Sequence, residues 1–277
     1  MSKETTYLFG RFHLIHSPFT GNKKDFIIHS VNANTAVSIG DFEWSFFEVE
    51  KLQEGDEFFI YGCLVKYRPE AIEDVVDRNR HTFSKASIPD KVVAKSQFVL
   101  HPHSGVIAYH PVANKISSNQ FRNNFSRVIE TANNNLLIQA AIEVIDEETE
   151  IIEALKTLSS IHYISLELHP SNPNNRERWK RTDERLQKME VDKYQEYYES
   201  RAGIKLDDED ETYGNILMAA DGYGKATIGG IKNGEKTEIS TETMPVKAVV
   251  QIEQDDADSL LVALLNKFLA IWERMKK

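Results

Sequence analysis

Two runs of this sequence hold the residue types that grip a phosphate or read a base. The first is Lys115, Asn119, Gln120, Arg122, Asn123, Asn124, Ser126 and Arg127. Arg, Asn and Gln are the side chains that contact phosphates and base edges. This run lies within Lys91 to Ile129, which contains no Asp or Glu, although the chain carries 43 acids in 277 residues. Roughly six acids would be expected over that length from composition alone. The second run is Arg176, Arg178, Trp179, Lys180 and Arg181. A Trp among four cations can stack on a base while the cations meet phosphates. Cations at a helix N-terminus oppose the macrodipole, so helix stability does not explain them. Each run also has a plainer reading. The first fits a solvated, amide-rich helix face, and the second a surface helix salt-bridged through Glu177 and Glu184.

Other groups carry less. His101 and His103 would point the same way in a strand, as two metal ligands would, with His110 nearby. No Asp, Glu or Cys lies close in sequence to complete a set, so structural histidines are expected. Glu143, Asp146, Glu147, Glu148, Glu150 and Glu153 crowd a strand-to-helix junction. Two-metal nucleases use carboxylates that converge on a pocket, but acids in a first helical turn already have a structural reason. The glycines of Asp221–Lys225 and Gly229–Gly230 match neither phosphate-loop spacing and are expected in a β-turn between strands. Cys63, the one cysteine, excludes an internal disulfide and a multi-cysteine zinc site. It sits in an apolar strand and reads as an inert buried thiol. The sequence assigns no catalytic residue, metal site or cofactor.

The elements that must position these residues are expected to form an α+β fold. Aromatic and β-branched residues predict strands at 6–15, 25–31, 36–50, 56–68, 80–88 and 91–101, with a short one at 105–110. In the fourth, Phe58, Ile60 and Leu64 share one face and Phe59, Tyr61, Cys63 and Val65 the other. Apolar on both faces, it belongs in the middle of a sandwich or barrel. These strands make a β-rich domain over 1–112. An α/β domain over 113–277 follows. Ser117 or Ser118 caps a helix with its apolar stripe at Phe121, Phe125, Val128, Ile129 and Ala132. Asn119, Arg122, Asn123, Ser126 and Arg127 fall on the opposite face. A strand at 136–145, a helix at 148–158 and a strand at 161–168 predict a sheet covered by helices. Residues 176–201, with eight Lys/Arg and seven Asp/Glu, read as a long charged helix within a helical insertion at 174–205. Strands are expected near 213–220, 225–231, 235–240 and 246–253. An apolar helix from about Asp256 closes the chain, either buried or shared with a second subunit.

The formal net charge is −10. An acidic chain is repelled by nucleic acid and anionic membrane unless its positive charge is gathered locally. No run is long and apolar enough to span a membrane, and no leader is recognised, so the cytoplasm is expected.

The order of pieces resembles a loose group of bacterial phage-defence and exclusion proteins of the RexA and Kiwa KwaB kind. The residues that carry it are Gly105–Tyr109 leading into the 117–132 helix, then Ile164–Asn174, Ile216–Gly224 and the closing helix. They fall in roughly the C-terminal 60% of the chain, as a likeness of layout. The resemblance implies DNA association, a defence role and a membrane-embedded protein partner, and it supplies no catalytic residue. The expectation drawn from residues and resemblance together is a non-enzymatic, DNA-backbone-binding component of antiviral defence, homo-oligomeric through the C-terminal helix. Its contacts would be Lys115, Asn119, Arg122, Asn123, Arg127, Arg176, Arg178, Trp179, Lys180 and Arg181. Two alternatives stand beside it: a protein-interaction module, and a metal-dependent nuclease using the 143–153 carboxylates with a histidine.

Overall fold

The computed structural model describes residues 3–16, 23–133, 138–171, 177–252 and 257–275. The first strand, β1 (Lys3–His16), organises a large antiparallel sheet. One of its edges pairs with β6 (Val106–Tyr109). Along the other it takes β12 (Lys247–Ile252) over its first half and β7 (Gln139–Val144) over its second. Beyond β6 the sheet continues through β5 (Thr82–Leu100), β4 (Glu57–Asp77), β3 (Phe42–Glu54) and β2 (Ala36–Ile39).

Both faces of this sheet are apolar, as the 58–65 pattern predicts. The covering layers are helices, though, and the strand order is open, so the expected sandwich or barrel is corrected to a helix-covered open sheet. Ile60 and Leu64 pack with Phe98, Phe121 and Phe125 under α1 (Lys23–Val31) and α2 (Ser118–Ala132). Phe59 and Tyr61 pack on the other side with Leu264, Phe268 and Trp272 of α6 (Ala257–Met275). The terminal helix therefore spends its main apolar stripe on its own sheet. The expected boundary near 112 falls between β6 and α2, and β7 and β12 from beyond it pair in the large sheet.

A second antiparallel sheet has the order β11 (Glu235–Ser240), β10 (Gly224–Lys232), β8 (Ser160–Leu168), β9 (Tyr194–Ile204). Its core joins Ile164, Leu166 and Ile228 to Ile151 and Leu155 of α3 (Glu148–Lys156), Leu186 of α4 (Lys180–Lys188) and Ile216 of α5 (Glu211–Met218).

Three sequence expectations change here. The supposed long charged helix at 176–201 is α4 followed by β9. Glu190, at φ +53°, stands in the left-handed region where the helix has stopped, and the tyrosines beyond it favour a strand. The supposed strand at 25–31 is α1, whose buried Phe26, Ile27, Ser30 and Val31 recur at helical spacing. The supposed strand at 213–220 is α5 running into a π-helical turn, Ala219–Tyr223. A short run buried on all sides does not reveal its period.

That π-helical turn joins the two sheets. Arg11 Nε donates to the Asp221 carbonyl at 2.8 Å, and Arg11 Nη2 lies 3.3 Å from Asp221 Oδ1, with both side chains buried. The Arg11 guanidinium sits 4.2 Å over the Tyr223 ring. His13 Nε2 donates to the carbonyl of Gly222. Gly222 has φ +81°, and a Cβ there would meet Ile145 at 2.9 Å and Arg11 at 3.0 Å. The expected β-turn at 221–225 is thus the end of a helix, with its glycine fixed by backbone conformation and close packing.

Candidate binding cleft between the two sheets

The acid-free run builds α2 as its pattern predicts. Ser117 Oγ accepts the Gln120 N–H, and Gln120 Oε1 accepts the Ser117 N–H, a reciprocal cap at the helix start. Phe121, Phe125, Val128 and Ile129 are fully buried against the sheet. Asn119, Arg122, Asn123, Ser126, Arg127 and Glu130 form one wall of a cleft of about 960 Å³. The cleft floor is β7. Its open edge is satisfied by α2: Arg122 Nη1 donates to the Ile142 carbonyl at 3.2 Å, and Glu130 Oε1 accepts the Ala140 N–H at 2.8 Å. Side chains thereby occupy an edge that would otherwise offer unpaired groups to another strand.

The opposite wall is Glu167, His169, Lys193, Lys225 and Glu242, drawn from β8, β10 and the connections after β8, before β9 and after β11. Arg122 Nη1 meets Glu242 Oε1 at 2.7 Å. Lys225 Nζ stands between Glu242, at 3.5 Å, and Glu143, at 3.6 Å. Lys193 pairs with Glu167 at 2.6 Å. His169 Nδ1 donates to the Asp192 carbonyl at 2.9 Å.

Glu242 is held in place from behind. Asp146 accepts its N–H at 2.6 Å and that of Met244 at 2.8 Å. This fixes Glu242 at φ +84°, a left-handed conformation that costs a non-glycine residue roughly 1–2 kcal/mol. Burial pushes the Asp146 carboxyl up to about 6, against the lowering effect of those two N–H groups. Burial likewise raises Glu143, with Lys225 opposing it.

Behind the cleft wall, Ser126 Oγ and Arg122 Nε are buried without a hydrogen-bond partner, while Glu143 Oε2 has the Lys225 ammonium 3.6 Å away. Ser126 and Glu143 are each 6% exposed. Burying such an atom unsatisfied costs about 1–3 kcal/mol. The eight charged side chains of the cleft are four cations and four carboxylates. Among the described residues Arg127 is the cleft cation that makes no ion pair.

Of the sequence-derived contacts, Asn119, Arg122, Asn123 and Arg127 meet in the cleft. Lys115 is exposed before α2, and its carbonyl accepts Lys66 Nζ at 3.3 Å. Arg176 lies outside the described residues. Arg178 pairs with Glu148 at 2.8 Å and lines a separate depression of about 650 Å³. Lys180 pairs with Glu177 at 3.3 Å, and Arg181 is exposed. Trp179 is 2% exposed and packs 5.2 Å from Tyr223, so a stacking role on a base is corrected to a core role. Among the described residues the two basic runs do not share the cleft. His101 is tied to Glu57 at 3.1 Å and to Ser104 at 2.8 Å, and His110 to the Thr6 carbonyl at 2.9 Å, the structural parts expected of them. Among the described residues no group of three His, Cys, Asp or Glu is placed to hold a metal ion. No described helix is long and apolar enough to cross a membrane.

The sequence profile of a family described as Domain of unknown function (DUF4747) matches residues 14–269. No curated protein matches the chain.

Proposed function

The chain belongs to the DUF4747 family, and from its own residues we propose that it is a non-enzymatic binding protein. Its ligand is a single nucleotide, free or as one unpaired unit of a nucleic acid, seated in the cleft between α2 and the second sheet. The observation that carries this is the charge balance of the cleft. A groove for duplex backbone needs an excess of cations free to neutralise successive phosphates. Here Arg122, Lys193 and Lys225 are each engaged by a carboxylate, which leaves Arg127 to meet one phosphate. The volume falls in the range of roughly 300–1,000 Å³ usual for small-ligand sites. Asn119 and Asn123 supply amides of the kind that read base edges.

The broader reading, DNA-backbone binding in antiviral defence, rests on the layout resemblance and on the exposed amide face of α2. One titration separates the two. Labelled mononucleotides, single-stranded oligonucleotides and duplex DNA are compared by fluorescence anisotropy at several salt concentrations. The single-nucleotide reading expects a log–log salt slope of about −0.7, the value for one phosphate on a single strand. It also expects Arg127→Glu to weaken binding by about tenfold or more with no change in melting temperature. A slope several times steeper on duplex DNA would transfer support to the backbone reading. Absence of binding to any of the three probes would remove both and leave the protein-interaction alternative.

A further inference from the structure

β4 and β5 outrun the sheet that contains them. β3 pairs with β4 only as far as Tyr67, and β6 pairs with β5 only over Phe98–Leu100. From Arg68↔Lys91 to Asp77↔Thr82 the two strands pair with each other as a ribbon, touched near its base by the β2–β3 turn. An isolated two-stranded ribbon is marginal in water unless something covers an apolar face. This ribbon has such a face. The register sets Ile72 opposite Ser87, Asp74 opposite Lys85 and Val76 opposite Phe83, all on one side. Ile72 and Val76 are 68% exposed and Phe83 is 77% exposed.

We infer that this face is a self-association surface whose occupant is the same ribbon of a second copy of the chain. Two features of charge favour a second copy. The chain carries −10 overall, so two copies repel over most of their surface. The segment 68–91 holds five Asp/Glu and five Lys/Arg and is neutral, so approach there is unopposed. The charges are also divided between the strands. Glu70, Glu73, Asp74 and Asp77 with Arg68 leave the β4 arm acidic, and Lys85 and Lys91 with Asp90 leave the β5 arm basic. Two ribbons laid face to face and pointing the same way, related by a twofold axis along their length, set each β4 over the β5 of its mate. Asp74 then meets Lys85 of the second copy, and Val76 meets Phe83 of the second copy. One patch complements itself, which is the condition for a closed, isologous dimer. This surface is distinct from the cleft and does not depend on what the cleft binds.

The test is sedimentation equilibrium on the full chain across a concentration series. The wild type should reach twice its 31.7 kDa mass. Val76→Asp with Phe83→Asp should weaken association by about 100-fold, as loss of paired central anchors does. Both positions are solvent-exposed in the single chain, and unchanged circular dichroism would show that the fold persists. Asp74→Lys should also weaken the dimer, and adding Lys85→Asp should restore it. A wild type that stays monomeric throughout the series would overturn the inference. So would a dimer indifferent to Val76→Asp with Phe83→Asp, or one dissociated instead by Val262→Asp on the exposed side of α6.

Discussion

Replacing Asp146 by Asn should flatten the dependence of stability on pH, and the size of the effect follows from the structure. Asp146 is 4% exposed and holds two backbone N–H groups of the loop that carries Glu242. Its carboxyl titrates near 6 in the folded chain and at its ordinary value of 3.8 when exposed. A carboxyl with a raised folded pKa binds its proton more tightly when folded. The wild type therefore gains stability from this group as pH falls from above 6 toward 4, and loses it as pH rises again. Integrated from pH 7.5 down to pH 4.5, the gain is about 2 kcal/mol. Asparagine does not titrate, so it removes this contribution. The assay is urea unfolding of both proteins at the two pH values. With a slope near 3 kcal/mol per molar urea, the wild-type midpoint should move about 0.7 M further between them than that of the variant. Parallel pH dependence in the two proteins would show that burial does not raise this carboxyl, and with it would go the account of how the 242 loop is anchored.

Other outcomes follow from single residues. Trp179→Ala should destabilise the chain by about 3–5 kcal/mol, read as a large fall in melting temperature, because a fully buried indole is removed from the second core. A surface role in nucleic-acid stacking would instead leave the melting temperature unchanged. Burial pushes the Cys63 thiol up to about 12. Alkylation of the native protein near pH 8 should therefore be slow, with full labelling only after denaturation. Arg11→Ala should cost about 3–5 kcal/mol by removing the cation from a buried pair, and Arg11→Met with Asp221→Leu should recover much of it. Failure of that recovery, measured by chemical unfolding, would mean that the joint between the sheets depends on the ion pair itself.

The near wall of the cleft is legible in the sequence. The Phe121/Phe125 stripe, the Ser117 cap and the amide-rich face lie within one helical period, so local spacing suffices to orient them. The far wall is not. Glu167, His169, Lys193, Lys225 and Glu242 are scattered along the sequence, and the pairing of β8 with β9 and with β10 brings them together. The charge of the 176–201 run is readable, but its period is hidden. Helix and strand alternatives are both amply polar there, and the stop at Glu190 depends on backbone geometry. The outer ribbon is half hidden for a related reason. Glu70, Glu73 and Asp74 have poor strand propensity, and Pro89 interrupts the return strand, so residues 69–77 do not announce a strand.

The pairing of β1 with β12 also bears on how the chain is made. Lys3 lies opposite Ile252 and Leu8 opposite Lys247. During synthesis β1 precedes β12, and the Lys3–Leu8 edge stays open until Lys247–Ile252 has left the ribosome. Such a sheet cannot close domain by domain from the N-terminus, and contacts this distant in sequence make for slow acquisition of the native state. Until β12 and α6 emerge, Tyr7 and Phe9 of β1 lack Val250, Leu264 and Phe268, with which they share a core. During synthesis that surface is where chaperone binding or premature aggregation should concentrate.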